Sequence, residues 1–126
     1  MSLTTRDALV ALRRDLHRYP EPAWREFYTT SRIVDELERI GVDELHLGRD
    51  ALESEARMAV PDAEEIEAWR ERARKKGARE DVLEAAEGGH TGAVAVLEKG
   101  EGPTVALRVD IDALPQKESE LSDHLP

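Results

Sequence analysis

The chain has 126 residues and carries 28 acidic against 18 basic side chains, a net charge of −10 at pH 7. This charge argues against a nucleic-acid partner, because binding to phosphates requires clustered Lys and Arg. There is no run of roughly 18 apolar residues, which argues against a membrane span, and there is no Cys, which excludes disulfides. The length predicts a single domain. Residues 1–6 lack the apolar core of a signal peptide, which predicts a cytoplasmic protein.

Two amphipathic helices are predicted in the first third of the chain. Thr4 can cap the first helix, and Pro20 and Pro22 end it. The apolar face of this helix is formed by Leu9, Leu12 and Leu16. The apolar stripe of the second helix is formed by Phe27, Ile33, Val34, Leu37 and Ile40. Gly41 follows as a typical C-terminal stop.

The middle of the chain predicts a short strand and a third helix. Residues 42–47 favour the strand. Asp62 and Glu65 have the spacing of a capping box at the start of the helix, and Gly77 ends it. The buried face of this helix is expected to contain Ile66, Trp69 and Ala73. Residues 81–86 favour a further short helical turn.

Two apolar runs follow, at residues 93–97 and 104–109. The turn-rich connection between them favours an antiparallel hairpin. Because both runs are nearly continuous in apolar residues, we expect them to be adjacent central strands, buried on both faces, with the first two helices packed on one face of the sheet. The predicted fold class is therefore α/β, with helices packed on a small mixed sheet.

The second of these runs leads into the most informative residues, Arg108, Asp110 and Asp112. Residues two apart on a strand share a face, so all three side chains can point the same way. Two close carboxylates raise each other's pKa unless a cation lies nearby, and Arg108 or a metal ion could supply that charge. The alternative is a strand end whose Asp side chains cap a loop before Pro115. The residues alone favour this alternative, because structural ion pairs also perturb pKa values.

Other candidate positions have a structural interpretation that we prefer. His17 lies at the end of the first helix, where a positive charge favours the helix dipole. Glu21 and Glu26 could bind a cation, but Glu near the start of a helix also complements the dipole. Residues 88–92 are rich in glycine yet lack the spacing of a phosphate-binding loop. They are expected to form a flexible connection to the sheet.

The acidic composition also suggests adaptation to salt. Only four of the 18 basic residues are Lys, and the acids are spread along the whole chain. Repulsion within such a surface is relieved when salt screens it. We therefore interpret the chain as a halophile protein that is marginally stable in low salt and gains order in molar salt. The alternative is an ordinary acidic bacterial protein.

Several segments, taken in order and spacing, resemble the start of the M20 metallopeptidase/amidohydrolase family and its branch of N-acyl-amino-acid hydrolases. These are residues 12–21, 24–30, 89–96 and 102–115. Residues 47–61, 72–78 and 87–89 narrow the resemblance to the subfamily of p-aminobenzoyl-glutamate hydrolases, which carries an insert at about residues 49–88. The resemblance covers nearly the whole chain, and it implies that residues 1–126 form the N-terminal portion of a single catalytic domain.

The resemblance implies a di-metal hydrolase in which a zinc or manganese pair activates water for attack on an amide. It places Asp112 at a supporting position beside that pair, and Asp110 next to it. The family's metal ligands, in a Cys-Gly-His-x-x-His-type segment and later Glu and His residues, have no counterpart in this sequence, and neither does its general base. The four histidines, at positions 17, 46, 90 and 124, are scattered. We therefore expect no metal to be bound by this chain alone.

Two hypotheses follow. In the first, the chain is the N-terminal fragment of an amidohydrolase that cleaves an N-acyl or N-aroyl amino acid, and it is inactive by itself. A complementing C-terminal chain or a homodimer would then be a partner. In the second, the 126 residues are a complete interaction or regulatory domain without catalysis. We expect the first, because the sequence stops shortly after Asp112, where the family continues towards its ligands.

Overall fold

The computed structural model describes residues 5–124. Within this range the α-helices are α1 (Arg6–Arg18), α2 (Phe27–Ile40), α3 (Ala63–Lys76) and α4 (Glu80–Ala85). The strands are β1 (Glu44–Leu47) and β2 (Ala93–Val96). All the helices and the first strand that the sequence predicts are therefore confirmed. None of the helices in the described part of the chain is both long enough and apolar enough to cross a membrane.

Helix α1 is capped one residue later than predicted. The Thr5 hydroxyl accepts a hydrogen bond from the Ala8 backbone N–H at 3.4 Å, whereas Thr4 lies outside the described residues. Helix α1 contains no fully buried residue, and the side chain of Leu9 is 54% exposed. The helix lies against α2 through Asp15, whose carboxylate accepts from the Tyr28 hydroxyl at 2.8 Å and from the Arg32 guanidinium at 3.1 Å.

Helices α2 and α3 begin and end as their sequences predict. Gly41 and Gly77 follow their last turns in the left-handed conformation, with φ of 80° and 102°, which costs glycine little. The Asp62 carboxylate caps α3 by accepting from the Glu65 N–H at 2.8 Å. The Glu65 carboxylate does not complete a reciprocal box. It accepts instead from the Arg25 side chain, at 2.9 Å.

The hydrophobic core lies where α2, α3 and α4 meet. Its buried members are Phe27, Tyr28, Ile66, Ala73, Leu83 and Ala86. Four of these six residues belong to the segment 49–88, which the sequence suggests is an insert. This segment is therefore part of the core and does not form a separate surface loop. The aliphatic and aromatic contacts it makes with α2 account for much of the apolar burial in the described residues.

The two-stranded sheet corrects the sequence prediction. Strand β2 pairs with β1, antiparallel, with Glu44 opposite Val96 and Leu47 opposite Ala93. Residues 104–109 have no regular secondary structure, so the predicted hairpin is wrong and the sheet is antiparallel rather than mixed. Burial on both faces is wrong as well: Val94 is 48% exposed and Leu107 89% exposed. A strand is stable only when a neighbour satisfies its backbone and another layer covers its side chains. Residues 104–109 have neither among the described residues.

Candidate functional site

The segment that carries Asp110 and Asp112 is extended and anchored at one backbone position. The Ala113 N–H donates a hydrogen bond to the Glu21 carbonyl at 2.9 Å. Upstream, the Arg108 guanidinium forms an ion pair with the Asp110 carboxylate at 2.7 Å, and both side chains are well exposed. The prediction that Arg108 supplies a compensating charge is confirmed for Asp110. Because the pair faces water, it contributes little to stability.

Asp112 lies near enough to Glu26 for its charge to act on that residue. Its carboxylate is exposed and makes no hydrogen bond or ion pair within residues 5–124. Glu26 is buried, and its carboxylate accepts a short hydrogen bond from the Thr91 hydroxyl. Burial raises the pKa of Glu26, and the negative charge of Asp112 raises it further. Asp112 thus presents an unpaired carboxylate to solvent beside a buried carboxyl group.

Glu21 has the structural role that we preferred from the sequence. It is buried, and its two carboxylate oxygens accept from the backbone N–H groups of Tyr28 at 3.0 Å and Thr29 at 2.7 Å. These N–H groups belong to the first turn of α2, where no carbonyl of the same helix can reach them. Burial raises the pKa of Glu21, while these hydrogen bonds oppose the rise.

The glycine-rich residues 88–92 are not the flexible connection that we predicted. Gly89 has φ of 79°, and a Cβ atom at this position would lie 2.8 Å from the Trp24 carbonyl oxygen. His90 is only 2% exposed. Its imidazole contacts the Glu87 carbonyl oxygen at 2.7 Å and the Ser54 hydroxyl at 2.8 Å. Close packing of the backbone, which glycine permits, therefore fixes this segment.

The histidines are partly brought together, in a way that their spacing did not indicate. Glu118 contacts both His17 and His124, although these histidines are more than 100 positions apart. His17 lies in the last turn of α1, as expected, while His46 pairs with Glu44 at 2.9 Å. Among residues 5–124, no group of three or more His, Asp or Glu side chains is placed to hold a metal ion.

Comparisons with known proteins agree with the resemblance read from the sequence. The chain is 48% identical over 115 residues to indole-3-acetyl-aspartic acid hydrolase of Enterobacter agglomerans. It is 43% identical over 115 residues to a subunit of p-aminobenzoyl-glutamate hydrolase from Escherichia coli. Each alignment covers 90% of this chain and 26% of the relative. The chain matches no family model.

A solved structure supports the same relationship. The aminobenzoyl-glutamate utilization protein of Klebsiella pneumoniae matches with a TM-score of 0.81 and 46% identity, over 86% of this chain and 27% of that protein. The chain therefore spans about a quarter of the length of the relatives it matches. The predicted resemblance to p-aminobenzoyl-glutamate hydrolases is confirmed, and the chain corresponds to an N-terminal portion of them.

Proposed function

We propose that this chain is the N-terminal portion of a metal-dependent amidohydrolase that cleaves the amide bond of an N-acyl or N-aroyl amino acid similar to p-aminobenzoyl-glutamate. The observation that carries this proposal is the similarity, over nine tenths of the chain, to two hydrolases of such conjugates. Residues 1–126 would form part of a single catalytic domain with an insert at about residues 49–88. A cytoplasmic location and adaptation to high salt stay predictions.

The described residues do not by themselves form a ligand set for the zinc or manganese pair. A zinc site needs three or four convergent ligands, whereas Asp112 offers one exposed carboxylate beside Glu26. When bound, such a metal pair lowers the pKa of a coordinated water and polarises the amide carbonyl. We assign its ligands, and the general base, to the remainder of the hydrolase.

This chain's own contribution would be to position Asp112. The Ala113–Glu21 backbone hydrogen bond holds the segment against the start of α2. The buried carboxyl group of Glu26, which accepts from the Thr91 hydroxyl, lies near Asp112. The carboxylate of Asp112 is therefore free to accept a hydrogen bond from a group supplied by the rest of the enzyme. A complementing C-terminal chain or a second copy are the partners that such a group would require.

The proposal can be tested with a chimera in which this chain replaces the matching 27% of the Klebsiella pneumoniae protein. We expect the chimera to hydrolyse p-aminobenzoyl-glutamate with zinc or manganese supplied, and the 126-residue chain alone to hydrolyse nothing. Asp112→Asn should reduce the chimera's kcat/KM by about 10–100-fold, as losses around a metal centre do. Asp123→Asn, an exposed change of the same charge, is the matched control.

A well-folded chimera without activity would favour the alternative, in which these residues form a non-catalytic interaction or regulatory domain. If the 126-residue chain alone turns over substrate and a chelator abolishes this activity, the chain contains its own metal ligands and active site, which would contradict their assignment to the remainder of the hydrolase. Equal loss from Asp112→Asn and Asp123→Asn would contradict the role of Asp112 while leaving the hydrolase assignment in place.

A further inference from the structure

Two guanidinium groups converge on one residue of the segment that joins β1 to α3. Arg49 donates to the Ser54 hydroxyl at 2.9 Å. Arg57 donates to the Ser54 backbone carbonyl at 3.3 Å and to the Gly88 carbonyl at 2.8 Å. The Arg57 guanidinium also stacks over the Trp24 ring, 5.6 Å from its centroid. Both side chains are therefore oriented by specific contacts, and Arg49 is open to solvent.

Buried His90 fixes the residue on which the two arginines meet. A carbonyl oxygen can only accept, so the His90 Nδ1–H donates to the Glu87 carbonyl, and a neutral imidazole then leaves Nε2 as an acceptor. The Ser54 hydroxyl lies 2.8 Å from that Nε2, at hydrogen-bonding distance. Its oxygen keeps a lone pair for Arg49. This series of directional bonds runs from a side chain that is 2% exposed to a solvent-facing guanidinium.

The pair is not neutralised. No carboxylate within residues 5–124 lies within 4.0 Å of either guanidinium, although the chain has a net charge of −10. By contrast, Arg74 and Arg79 each contact two or more acidic side chains. Burial lowers the pKa of Arg57, and the positive charge of Arg49 lowers it further. Two fixed like charges side by side attract an anion, and guanidinium groups match the geometry of a carboxylate.

A series of contacts connects the pair to Glu26. His90 supports it through Ser54, and the following residue, Thr91, donates to Glu26, which lies near Asp112. Two relatives are named for conjugates of aspartic acid and glutamate. These amino acids share a side-chain carboxylate, while the acyl groups in the two names differ. An anion site formed by Arg49 and Arg57 would suit the shared part of such substrates.

We propose that Arg49 and Arg57, held by Ser54 and His90, bind the side-chain carboxylate of the acidic amino-acid half of an N-acyl substrate. The inference rests on the proposed function and assigns to two residues of this chain the recognition of the acidic side chain of such a substrate. A matching amide substrate with an uncharged side chain leaves the two guanidinium groups without their anion, so it binds more weakly.

The test is binding of p-aminobenzoyl-glutamate and p-aminobenzoyl-glutamine to the 126-residue chain, followed by calorimetry and by chemical-shift changes of the arginine side chains. We expect the glutamate compound to bind at least about tenfold more tightly, as a charge-assisted pair allows. Arg49→Gln and Arg57→Gln should each remove most of that preference. Arg13→Gln on α1, which changes the net charge equally, should retain it. Ser54→Ala should weaken it with Arg49 intact.

Several outcomes would overturn the inference. The first is equal affinity for the two compounds at ligand concentrations up to roughly 10 mM. The second is a preference for the glutamate compound that survives Arg57→Gln in a folded variant. The third is that inorganic sulfate displaces both compounds while the chain does not discriminate between glutamate and glutamine. If the Arg→Gln variants unfold, Arg49→Lys and Arg57→Lys replace them, because lysine keeps the charge and loses the bidentate geometry of the guanidinium group. An unchanged preference for the glutamate compound in these lysine variants also overturns the inference. An inactive chimera that keeps an arginine-dependent preference would refute only the proposed function. An active chimera without the preference would refute only this inference.

Discussion

Two regions of this chain contain large apolar side chains in opposite surroundings. In the region around α2, α3 and α4, Phe27 and Leu83 are fully buried and Val34 is 1% exposed. In residues 104–109, Val105 is 86% exposed and Leu107 89% exposed. The difference shows that an apolar run forms a core only where other elements of the same chain return to cover it. It also separates the residues that stabilise this chain from the apolar residues that it leaves uncovered.

The largest effect should come from Phe27, the first residue of α2 and a member of the core. Phe27→Ala should lower the free energy of unfolding by about 3–5 kcal/mol, because it removes a buried ring and leaves a cavity. Urea denaturation followed by circular dichroism measures this change. A loss of under about 1 kcal/mol would show that this region is not the stabilising core, and would erase the contrast between the two regions.

The same core region contains two buried carboxyl groups with raised pKa values, those of Glu21 and Glu26, whereas Asp110 and Asp112 face water. The pKa of Glu26 in the folded chain is raised, first by burial and then by Asp112. The folded state therefore binds protons more tightly than the unfolded state. The contribution of Glu26 to stability is fully present below its unfolded pKa, near 4.5, and is lost as the pH rises through the higher folded pKa.

Glu26→Gln should remove this loss, because the amide stays neutral and its oxygen can still accept from Thr91. Relative to the unmodified chain, the variant should gain stability as the pH rises above about 4.5 and then reach a plateau. Urea denaturation at a series of pH values from about 4 to 8 measures the difference. Glu21→Gln should change in the same direction, since burial also raises that pKa. A difference that is constant across the series would contradict the assignment.

The sequence predicted the helices well because their signals are local. Asp62, Gly41 and Gly77 end or begin helices through bonds and torsions within a few residues, so no distant partner was needed. Whether residues 104–109 form a strand depends on contacts with residues far along the chain. Their apolar pattern is typical of a buried strand, but it could not reveal that β2 pairs with β1 and not with this run.

The candidate site shows the same division. Asp110 and Asp112 were identified from their position after an apolar run, and the Arg108–Asp110 pair was expected from spacing. The arrangement of Arg49, Ser54, Arg57 and His90 was missed, since Ser54 and His90 are 36 positions apart and their spacing indicates no contact. One signal was available: Gly89 precedes His90 in a glycine-rich stretch, and glycine often marks a close approach of the backbone.

The smallest effect should come from Leu107, and it is the sharpest test of the comparison. Leu107→Ala removes the same atoms as Leu83→Ala, so the two variants differ only in their surroundings. Leu83 is fully buried, and its replacement should cost about 2–5 kcal/mol. Leu107 is 89% exposed, and its replacement should change the free energy of unfolding by less than about 0.5 kcal/mol, as at other exposed positions. Parallel urea titrations of the two variants measure both values.

In the chimera with the Klebsiella pneumoniae protein, Leu107→Ala should lower the free energy of unfolding more strongly if the added polypeptide covers residues 104–109, because the apolar surface of Leu107 is then removed from water. A large cost in the 126-residue chain itself would mean that the chain buries this run in solution. The contrast between a covered core and an uncovered apolar run would then be wrong.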